Sequence, residues 1–465
     1  MNTQKNDINE ELERGFTDVL AEKLPKALPT IVDASFEPVI YPAGFNYGLT
    51  YGANAYYNPA SLSTLNSTLE FDPSGDAGIS DQKLSDLYIS VLQNSVYAFS
   101  SATQKQLSEL DNEAESQIAS VLRAFENSNF KYSDPLPPGG KIADVFNQLT
   151  ALYGPITENC DNLPITLSSL RDAISTYIEA SGQAYNLHSR AAQATAALKA
   201  AIQNAKTPSS KNGGMQTGDD AYYVGFDKLP SANQLIGSLK TDSNAFTVSI
   251  SGDSFSEEEC DVCVESKAKI PIPIGCLLEI QVEHSSVVNI SDYTSSETSF
   301  SMKITYPGVT ALSVLPLSLS SDNKTGWYSV NILEEIKNKT GDLSADGYKL
   351  QGGEFSTGEL FGKTGRLNYF KTLIVSRTPS VEVKFNKIDV SEFTKYVHTD
   401  NNVKIKLFDF IPLGDVDHSY TLNDVDFNES EQSVTIKFGS PEISGSIPLE
   451  QQVAYVLGGS PEYVD

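Results

Sequence analysis

Residues 166–206 read TLSSLRDAISTYIEASGQAYNLHSRAAQATAALKAAIQNAK, a long run without proline. Apolar residues recur along it at steps of three and four, the spacing that places them on one face of an α-helix. This stripe comprises Leu167, Leu170, Ile174, Tyr177, Ile178, Ala191, Leu198, Ala201 and Ile202. At 1.5 Å per residue an unbroken helix would reach roughly 60 Å, and Gly182 marks the predicted kink. A stripe of that length must be buried against another element.

A second run, residues 81–125, predicts the partner of this helix. It contains no proline or glycine, and Ser80 or Asp81 can cap its start. Its apolar residues also recur mostly at steps of three and four: Leu84, Leu87, Val91, Phe99, Leu107, Leu110, Ala114, Ile118, Val121 and Phe125. The Pro/Gly break DPLPPGG at 134–140 and a shorter helix at 142–152 separate the two runs. We predict an elongated antiparallel helical bundle or coiled coil, with an amphipathic helix at 7–24 packed alongside.

The pattern changes after residues 207–220, TPSSKNGGMQTGDD, which we interpret as a linker. Beyond it, β-branched or alternating segments are separated by Gly, Pro, Asn and Asp clusters, and one short helix at 332–339 interrupts them. The predicted strands lie at 245–251, 300–306, 370–376, 381–385, 403–408 and 433–438. This spacing favours an antiparallel, β-sandwich-like C-terminal region.

The predicted fold class is therefore an α+β multidomain protein, a helical bundle followed by the β-sandwich-like region. The predicted divisions are an N-terminal helix with a Tyr/Gly-rich extended segment (1–80), the long-helix bundle (81–206), the linker (207–220) and a β-rich region of one or two domains (221–465).

The composition is strongly acidic. The chain of 465 residues carries 60 acidic and 33 basic residues, a formal net charge of −27, and the acidic residues are spread along its length. Such a surface repels phosphate backbones and anionic lipid, so we do not expect nucleic acid as a partner. A cation or a basic protein surface matches this acidic surface better than nucleic acid or anionic lipid does.

Membrane and export signals are also weak. Residues 1–20 are polar and lack the apolar core of a secretory signal. The most apolar stretch, 270–282, contains two prolines and a glutamate and falls short of the ~20 residues of a membrane span. We therefore expect a soluble protein with a cytoplasmic location by default, with signal-independent export as the alternative.

Two groups of residues are candidate metal ligands, although we expect no cofactor. Cys260-Asp-Val-Cys263, followed by Cys276 and His284, could form a Cys₃His zinc site, but free thiols in a β-sheet are the simpler interpretation. Asp415, Asp417, Asp424 and Asp426 could hold calcium through carboxylate oxygens. Their spacing matches no calcium loop that we can name, and solvated turn residues are the simpler interpretation.

No motif points to a specific reaction. The octapeptide TGELFGKT at 357–364 resembles a phosphate-binding loop, but its glycine spacing is wrong and a strand is predicted to follow it. The chain has four histidines but no G-x-S-x-G motif, which would hold the nucleophilic serine of a catalytic triad. Trp327 is the only tryptophan; we expect it in the core or at its rim, with sugar stacking as the alternative.

Two segments are candidate contact surfaces. The stretch 41–57, YPAGFNYGLTYGANAYY, is either an ordered segment lying over another surface or an aromatic contact surface formed by Tyr47, Tyr51, Tyr56 and Tyr57. Residues 181–206 contain no acidic residue and carry Arg190 and Lys199. They are either a tightly packed Ala-rich helix or a surface that meets a partner helix or a membrane.

Three functions remain open. The first is a non-enzymatic binding or assembly protein, in which a helical stalk presents a β-sandwich recognition module to a protein partner or to further copies of the chain. The second is a pore-forming or membrane-active, toxin-like protein, in which a helical hairpin joins a β module, although no transmembrane segment supports it. The third is a hydrolase with an unrecognised site.

Overall fold

The structure is a computed structural model. It describes residues 2–39, 44–46, 48–51, 54–71, 77–128, 141–218, 221–241, 243–253, 259–265, 270–273, 278–282, 288–289, 294–339, 344–389, 403–407, 421–428, 430–439 and 452–464. Helices account for 42% and sheets for 29%, so the predicted α+β class is confirmed.

Within these residues the helices are α1 (Asn2–Ala27), α2 (Pro59–Leu65), α3 (Leu84–Gln93), α4 (Ser101–Glu113), α5 (Glu115–Asn127), α6 (Lys141–Tyr153), α7 (Ser168–Lys206), α8 (Ala232–Leu239), α9 (Val330–Lys339) and α10 (Thr357–Leu360). Short 3-10 turns lie at Ile165–Leu167 and Ser210–Asn212.

The strands are β1 (Glu37–Pro38), β2 (Gly44–Asn46), β3 (Gly48–Tyr51), β4 (Asn54–Tyr57), β5 (Ser67–Phe71), β6 (Ala77–Lys83), β7 (Ser95–Ala98), β8 (Met215–Gln216), β9 (Tyr222–Tyr223), β10 (Phe226–Asp227), β11 (Phe246–Asp253), β12 (Glu259–Val264), β13 (Ile270–Pro273), β14 (Leu278–Val282), β15 (Val288–Asn289), β16 (Ser299–Tyr306), β17 (Thr310–Ser313), β18 (Leu315–Pro316), β19 (Gly347–Leu350), β20 (Tyr369–Arg377), β21 (Ser380–Asn386), β22 (Val403–Leu407), β23 (Thr421–Asn428), β24 (Ser433–Gly439) and β25 (Val453–Glu462). Each predicted C-terminal strand is present, and α9 is the predicted short helix.

The long helix predicted at 166–206 is confirmed as α7, which spans 39 residues. Its kink lies at Ser181 (φ −134°, ψ 34°), one residue before the predicted position. Helices α5 and α6 pack on it, and Phe125, Phe146 and Tyr177 lie in their shared core.

The prediction of one continuous helix over 81–125 is wrong. The end of β6 and then α3, β7, α4 and α5 divide that run. Strand β7 pairs with β19, which places Tyr97 opposite Tyr348 with ring centroids 5.4 Å apart. Aromatic and β-branched residues favour strands, and pairing with a distant segment here outweighs the local helical periodicity. Among the described residues α7 therefore has no equally long partner helix, and the predicted bundle is not confirmed.

Helix α1 confirms the predicted N-terminal helix, but it does not pack beside the helical layer. Its residues Phe16, Val19, Leu20 and Leu24 are buried in the core of a seven-stranded antiparallel sheet. The strand order of that sheet is β13-β12-β11-β16-β21-β24-β23, and the sheet curls into a half-barrel. Strand β11 alternates buried and exposed residues, as a strand with one solvated face does.

Because α1 covers the buried face of the curled sheet, the predicted β-sandwich is not confirmed. Ile374 and Leu457 reach this core from the other large sheet, and Ala311 of the attached β17 packs against it. That second sheet has the order β1-β25-β20-β5-β6, with β2 and β17 also attached. At Gly458 (φ +154°) a Cβ would lie 2.3 Å from the carbonyl oxygen of Glu37, so only glycine lets β1 approach β25.

A further core joins segments from both sides of 207–220. It contains Tyr88 of α3, Ala201 of α7 and the fully buried Trp327, whose Nε1 donates a 2.8 Å hydrogen bond to the carbonyl oxygen of Gly225. Trp327 is thus a core residue, as expected. The division of the chain at 207–220 stays a prediction.

Candidate recognition pocket

A β-bulge in the β5–β6 hairpin builds the candidate site, at the end of the second sheet. The register runs from Ser67↔Lys83 to Leu69↔Ile79, so residues 80–82 together stand opposite Thr68. Such a bulge bends a strand and re-aims its side chains. A cavity opens at this bulge.

The cavity has a volume of about 450 Å³, within the 300–1,000 Å³ typical of small-molecule sites. Its lining combines one carboxylate, one guanidinium, one amide, three hydroxyls and two apolar side chains: Thr68, Leu69, Glu70, Phe71, Ser80, Gln82, Thr364 and Arg366. A mixed lining of this kind can both donate hydrogen bonds to a ligand and accept them from it.

Local hydrogen bonds fix the shape of the bulge. The backbone N–H of Gln82 donates to the Ser80 hydroxyl at 3.0 Å, and the Thr68 hydroxyl donates to the carbonyl oxygen of Gln82 at 3.4 Å. Since Ser80 accepts in this pair, its own hydroxyl hydrogen remains available as a donor.

The carboxylate wall depends on a glycine. Glu70 stands directly opposite Gly78 in the register, and a Cβ built at Gly78 would lie 3.3 Å from Glu70 Cγ and 3.6 Å from its Oε1. The exposed Glu70 side chain therefore lies across the space left by Gly78. No salt bridge to Glu70 occurs within the described part of the chain.

Arg366 also lines the cavity, and its side chain already has partners of its own. Its Nη1 donates to Oε1 of Glu359 at 2.5 Å, and its guanidinium lies 5.9 Å from the centre of the Phe355 ring. The backbone N–H of Arg366 also donates to the carbonyl oxygen of Glu359 at 3.0 Å. These contacts hold the guanidinium at the border of the pocket.

Asn368 fixes the loop that supplies Arg366. Its side chain is fully buried, and Nδ2 donates to the carbonyl oxygens of Gly362 at 2.8 Å and Lys363 at 3.0 Å. Its Oδ1 accepts from the backbone N–H of Val464 at 3.1 Å. This loop contains the octapeptide TGELFGKT, and β20 follows it, so the helix that a phosphate-binding loop requires does not follow, as predicted.

The C-x-x-C pair does not converge. Cys260 is buried in the core under β12, whereas the partly exposed Cys263 lies on the opposite face of the strand. Burial raises the pKa of the Cys260 thiol to about 12. Cys276 and His284 lie outside the described residues. Across the residues that are described, no group of three or more His, Cys, Asp or Glu side chains could hold a metal ion.

The acidic candidates are only partly described. Asp415 and Asp417 lie outside the described residues. Asp424 and Asp426 belong to β23, the last strand of the curled sheet, and Asp426 is exposed.

The four tyrosines predicted to form a contact surface are also only partly described. Tyr47 lies outside the described residues, Tyr51 belongs to β3, and Tyr56 is partly exposed. Tyr57 is buried, and its hydroxyl donates to the carbonyl oxygen of Pro230 at 2.8 Å. It therefore anchors β4 to the core and does not form part of a contact surface.

The two basic candidates of α7 differ. Arg190 forms an ion pair with Asp346 and lies 5.3 Å from the centre of the Phe99 ring, so it joins α7 to neighbouring segments. Lys199 is exposed. Nearby, the buried His188 places Nε2 2.9 Å from Oδ1 of Asp111, which joins α7 to α4.

A second surface feature lies where α6 ends and α7 begins. Ile165 is 85% exposed and Leu152 is 62% exposed. The side chain of Asn162 orders the loop between them, because its Nδ2 donates to the carbonyl oxygens of Tyr153 at 2.9 Å and Pro155 at 2.7 Å. Large exposed apolar side chains such as these are candidates for a contact surface.

Comparison with known proteins adds no identification, since no family model, curated protein or solved structure matches this chain significantly. Among the helices that the structure describes, none combines the length and apolarity needed to cross a bilayer.

No sequence pattern marks the residues of the pocket. Glu70, Gln82 and Arg366 come from segments separated by almost 300 positions, and no short motif joins them. The octapeptide TGELFGKT at 357–364 contributes Thr364 to the lining, but its resemblance to a phosphate-binding loop does not predict this pocket.

Proposed function

We propose that this protein is a non-enzymatic binding or assembly protein. In this proposal, the helices around α7 act as a stalk, and the β-rich part presents the recognition site. The observation that carries it is the polar pocket at the β5–β6 bulge, because hydrogen bonds fix the bulge and the loop of Arg366 before any ligand arrives. Fixed walls reduce the entropy lost on binding.

The chemistry of the lining favours recognition over turnover. General acid–base catalysis needs a positioned side chain that exchanges protons near the working pH, commonly together with a second such group. Of the residues that line the pocket, only Glu70 and Arg366 carry a formal charge, and an arginine does not give up its proton in proteins. The hydrolase alternative would need a second titrating group in this cavity.

The net charge of −27 bears on the partner. Copies of so acidic a chain repel one another at low ionic strength. We therefore favour a different protein with a basic surface as the macromolecular partner over self-assembly. Association that weakens as salt is added would agree with this view.

The proposal is tested by ligand screening with the full chain. Thermal unfolding is measured in the presence of each member of a library of amino acids, short peptides, nucleotides and saccharides. Each ligand that raises the Tm is recovered, and its mass is measured by mass spectrometry to show whether it has been converted. We expect at least one ligand to stabilise the wild type but not Arg366→Ala, whereas the exposed-site control Arg123→Ala responds as the wild type does. A ligand recovered in converted form, or no ligand that distinguishes Arg366→Ala, would overturn the proposal.

The exposed apolar pair Leu152 and Ile165 favours a second candidate, the membrane-active protein. Apolar side chains at the end of a helical layer can enter the interfacial region of a bilayer. Glu158 and Asp161 lie in the same loop, so neutral lipid is the better match than anionic lipid.

Dye release from liposomes tests this candidate. Vesicles of phosphatidylcholine are compared with vesicles that also contain phosphatidylserine. Leakage from the neutral vesicles that is lost in a Leu152→Ser, Ile165→Ser double variant would support it. Val330→Ser is the matched control, because Val330 is 48% exposed but lies elsewhere in the fold. An absence of leakage from both vesicle types would remove the candidate.

A further inference from the structure

We infer that the pocket at the β5–β6 bulge takes a neutral saccharide, a polyhydroxylated ring of one or two units; this inference rests on the proposed function. It follows from three properties of the lining: its balance of charge, its mixture of donors and acceptors, and its apolar border.

The balance of charge disfavours ions. An anion that approaches Arg366 must compete with Glu359, which already accepts its hydrogen bond at 2.5 Å, and it also faces Glu70. A cation that approaches Glu70 enters a cavity that Arg366 also lines. A neutral ligand meets neither penalty, since it introduces no unpaired charge into the site.

The mixture of donors and acceptors fits vicinal hydroxyls. Glu70 can only accept hydrogen bonds, Arg366 can only donate them, and the Gln82 amide can do both. The hydroxyl of Ser80 keeps its hydrogen, because the bulge uses only its oxygen. Each sugar hydroxyl donates one hydrogen bond and accepts others, so a ring with adjacent hydroxyls can satisfy both kinds of group at once.

The apolar border fits the carbon face of such a ring. The apolar residues of the lining are Phe71, which is partly exposed, and Leu69, which is largely buried. The ring of Phe71 stacks on Tyr463, with centroids 6.4 Å apart and an interplanar angle of 26°. The hydroxyl of Tyr463 in turn donates to Oε1 of Glu37 at 2.8 Å. A ring held in this way offers a fixed apolar surface to the C–H groups of a sugar.

A free amino acid is the competing ligand class, because its two charges would also balance. Its carboxylate would need the guanidinium fork of Arg366, and Glu359 already occupies part of that fork. The volume of about 450 Å³ also leaves space beyond a single small amino acid. We therefore favour the saccharide and keep amino acids as an arm of the test.

Saturation-transfer NMR with the full chain tests the inference. The probes are glucose, galactose, mannose, N-acetylglucosamine and their disaccharides, with glucuronate, glucosamine, glutamine and glutamate as charged or zwitterionic arms. We expect transfer to at least one neutral saccharide and an apparent Kd that rises about tenfold or more in Glu70→Ala, as expected when a charged hydrogen-bond partner is removed. Asp81→Ala, in the same bulge but outside the lining, should change the Kd by less than about twofold.

A second variant probes the same wall indirectly. Gly78→Val places new carbon atoms against Glu70 Cγ, so it should displace the carboxylate and weaken saccharide binding severalfold. Its far-ultraviolet circular dichroism should remain that of the wild type, since valine favours strands. If Gly78→Val does not fold, Glu70→Ala alone decides the result.

The possible outcomes separate the two proposals. Selective binding of glucuronate, glucosamine or an amino acid at this pocket would overturn the saccharide assignment and leave the binding function standing. The same holds if no saccharide binds but another library member binds in an Arg366-dependent way. If no probe of any class binds, both proposals fail. Saccharide binding that Glu70→Ala does not weaken would place the site elsewhere and overturn the inference.

Discussion

Arg366 and Glu359, seven positions apart in the chain, form a hydrogen-bonded ion pair at 2.5 Å beside the candidate pocket. Both side chains are nearly half exposed, at 45% and 42%. Solvent therefore screens the pair, and an exposed pair of this kind contributes less than about 1 kcal/mol to stability. Its main effect is to hold Arg366 in one orientation and to reduce the charge that this arginine offers to a ligand.

Glu359→Gln should therefore change ligand preference more than stability. The free energy of unfolding should move by less than about 1 kcal/mol. Because the guanidinium loses its internal carboxylate, inorganic phosphate should stabilise the variant more than the wild type. The measurement is the Tm against phosphate concentration at constant ionic strength, with the exposed Glu113→Gln as the control. An equal response of all three proteins would contradict the assigned role of Glu359.

Asn368→Ala should be strongly destabilising. The substitution removes three hydrogen bonds from a fully buried side chain, which takes the side-chain donor from the carbonyl oxygen of Lys363 and the acceptor from the backbone N–H of Val464. Losses of this kind cost about 1–3 kcal/mol for each buried group left unsatisfied, so we expect about 2–4 kcal/mol in urea unfolding. Asn338→Ala, at an exposed position of α9, should change stability by less than about 0.5 kcal/mol. A small effect of Asn368→Ala would show that the loop does not depend on this side chain.

The parts of the fold that sequence predicts well are those with strong local periodicity. Helix α7 follows from a proline-free apolar stripe, and the C-terminal strands follow from alternation between turn residues. The run 81–125 carried the same helical periodicity but was divided by β7, because its pairing with β19 joins residues about 250 positions apart. No local pattern reports a partner at that distance.

The position of α1 shows a related limit. The amphipathic pattern correctly predicts that α1 buries Phe16, Val19 and Leu20, but it does not say against which surface. A helical layer and a curled sheet both offer an apolar face. The pocket was harder still to predict, because a bulge and a loop far apart in sequence assemble it and its residues look like ordinary surface residues.

Lys349→Met should raise stability. Lys349 lies in β19 and is only 6% exposed, and its Nζ has no hydrogen-bond partner in the described part of the chain. A buried polar group without a partner costs about 1–3 kcal/mol. Methionine keeps an aliphatic stem of similar length without the amine, so we expect a gain of about 1 kcal/mol in urea unfolding.

Lys105→Met is the matched control, since Lys105 is 81% exposed, and its effect should stay within about 0.5 kcal/mol. A loss of stability in Lys349→Met would show that the amine makes an interaction that stabilises the fold.

Asp33 makes the stability of the chain depend on pH. Its Oδ1 accepts hydrogen bonds from the backbone N–H and the hydroxyl of Ser35 at 2.8 Å and 2.7 Å, and from the hydroxyl of Ser460 at 2.8 Å. Burial acts to raise the pKa of this carboxyl, but these hydrogen bonds and the charge of Lys371 outweigh it and hold the pKa below its ordinary value of 3.8. The ionised form thus ties the segment after α1 to β25.

Because the folded-state pKa lies below the unfolded one, the contribution of Asp33 to stability is complete well above pH 3.8 and is lost as the pH falls through the folded-state value. Asp33→Asn should therefore be less stable than the wild type at pH 7, and this difference should shrink as the pH is lowered below 3.8. Urea unfolding at a series of pH values measures it, with Asp426→Asn, at an exposed position of β23, as the control. A difference between Asp33→Asn and wild type that stays constant down to pH 2.5 would show that ionisation of Asp33 does not join the N-terminal segment to the last strand.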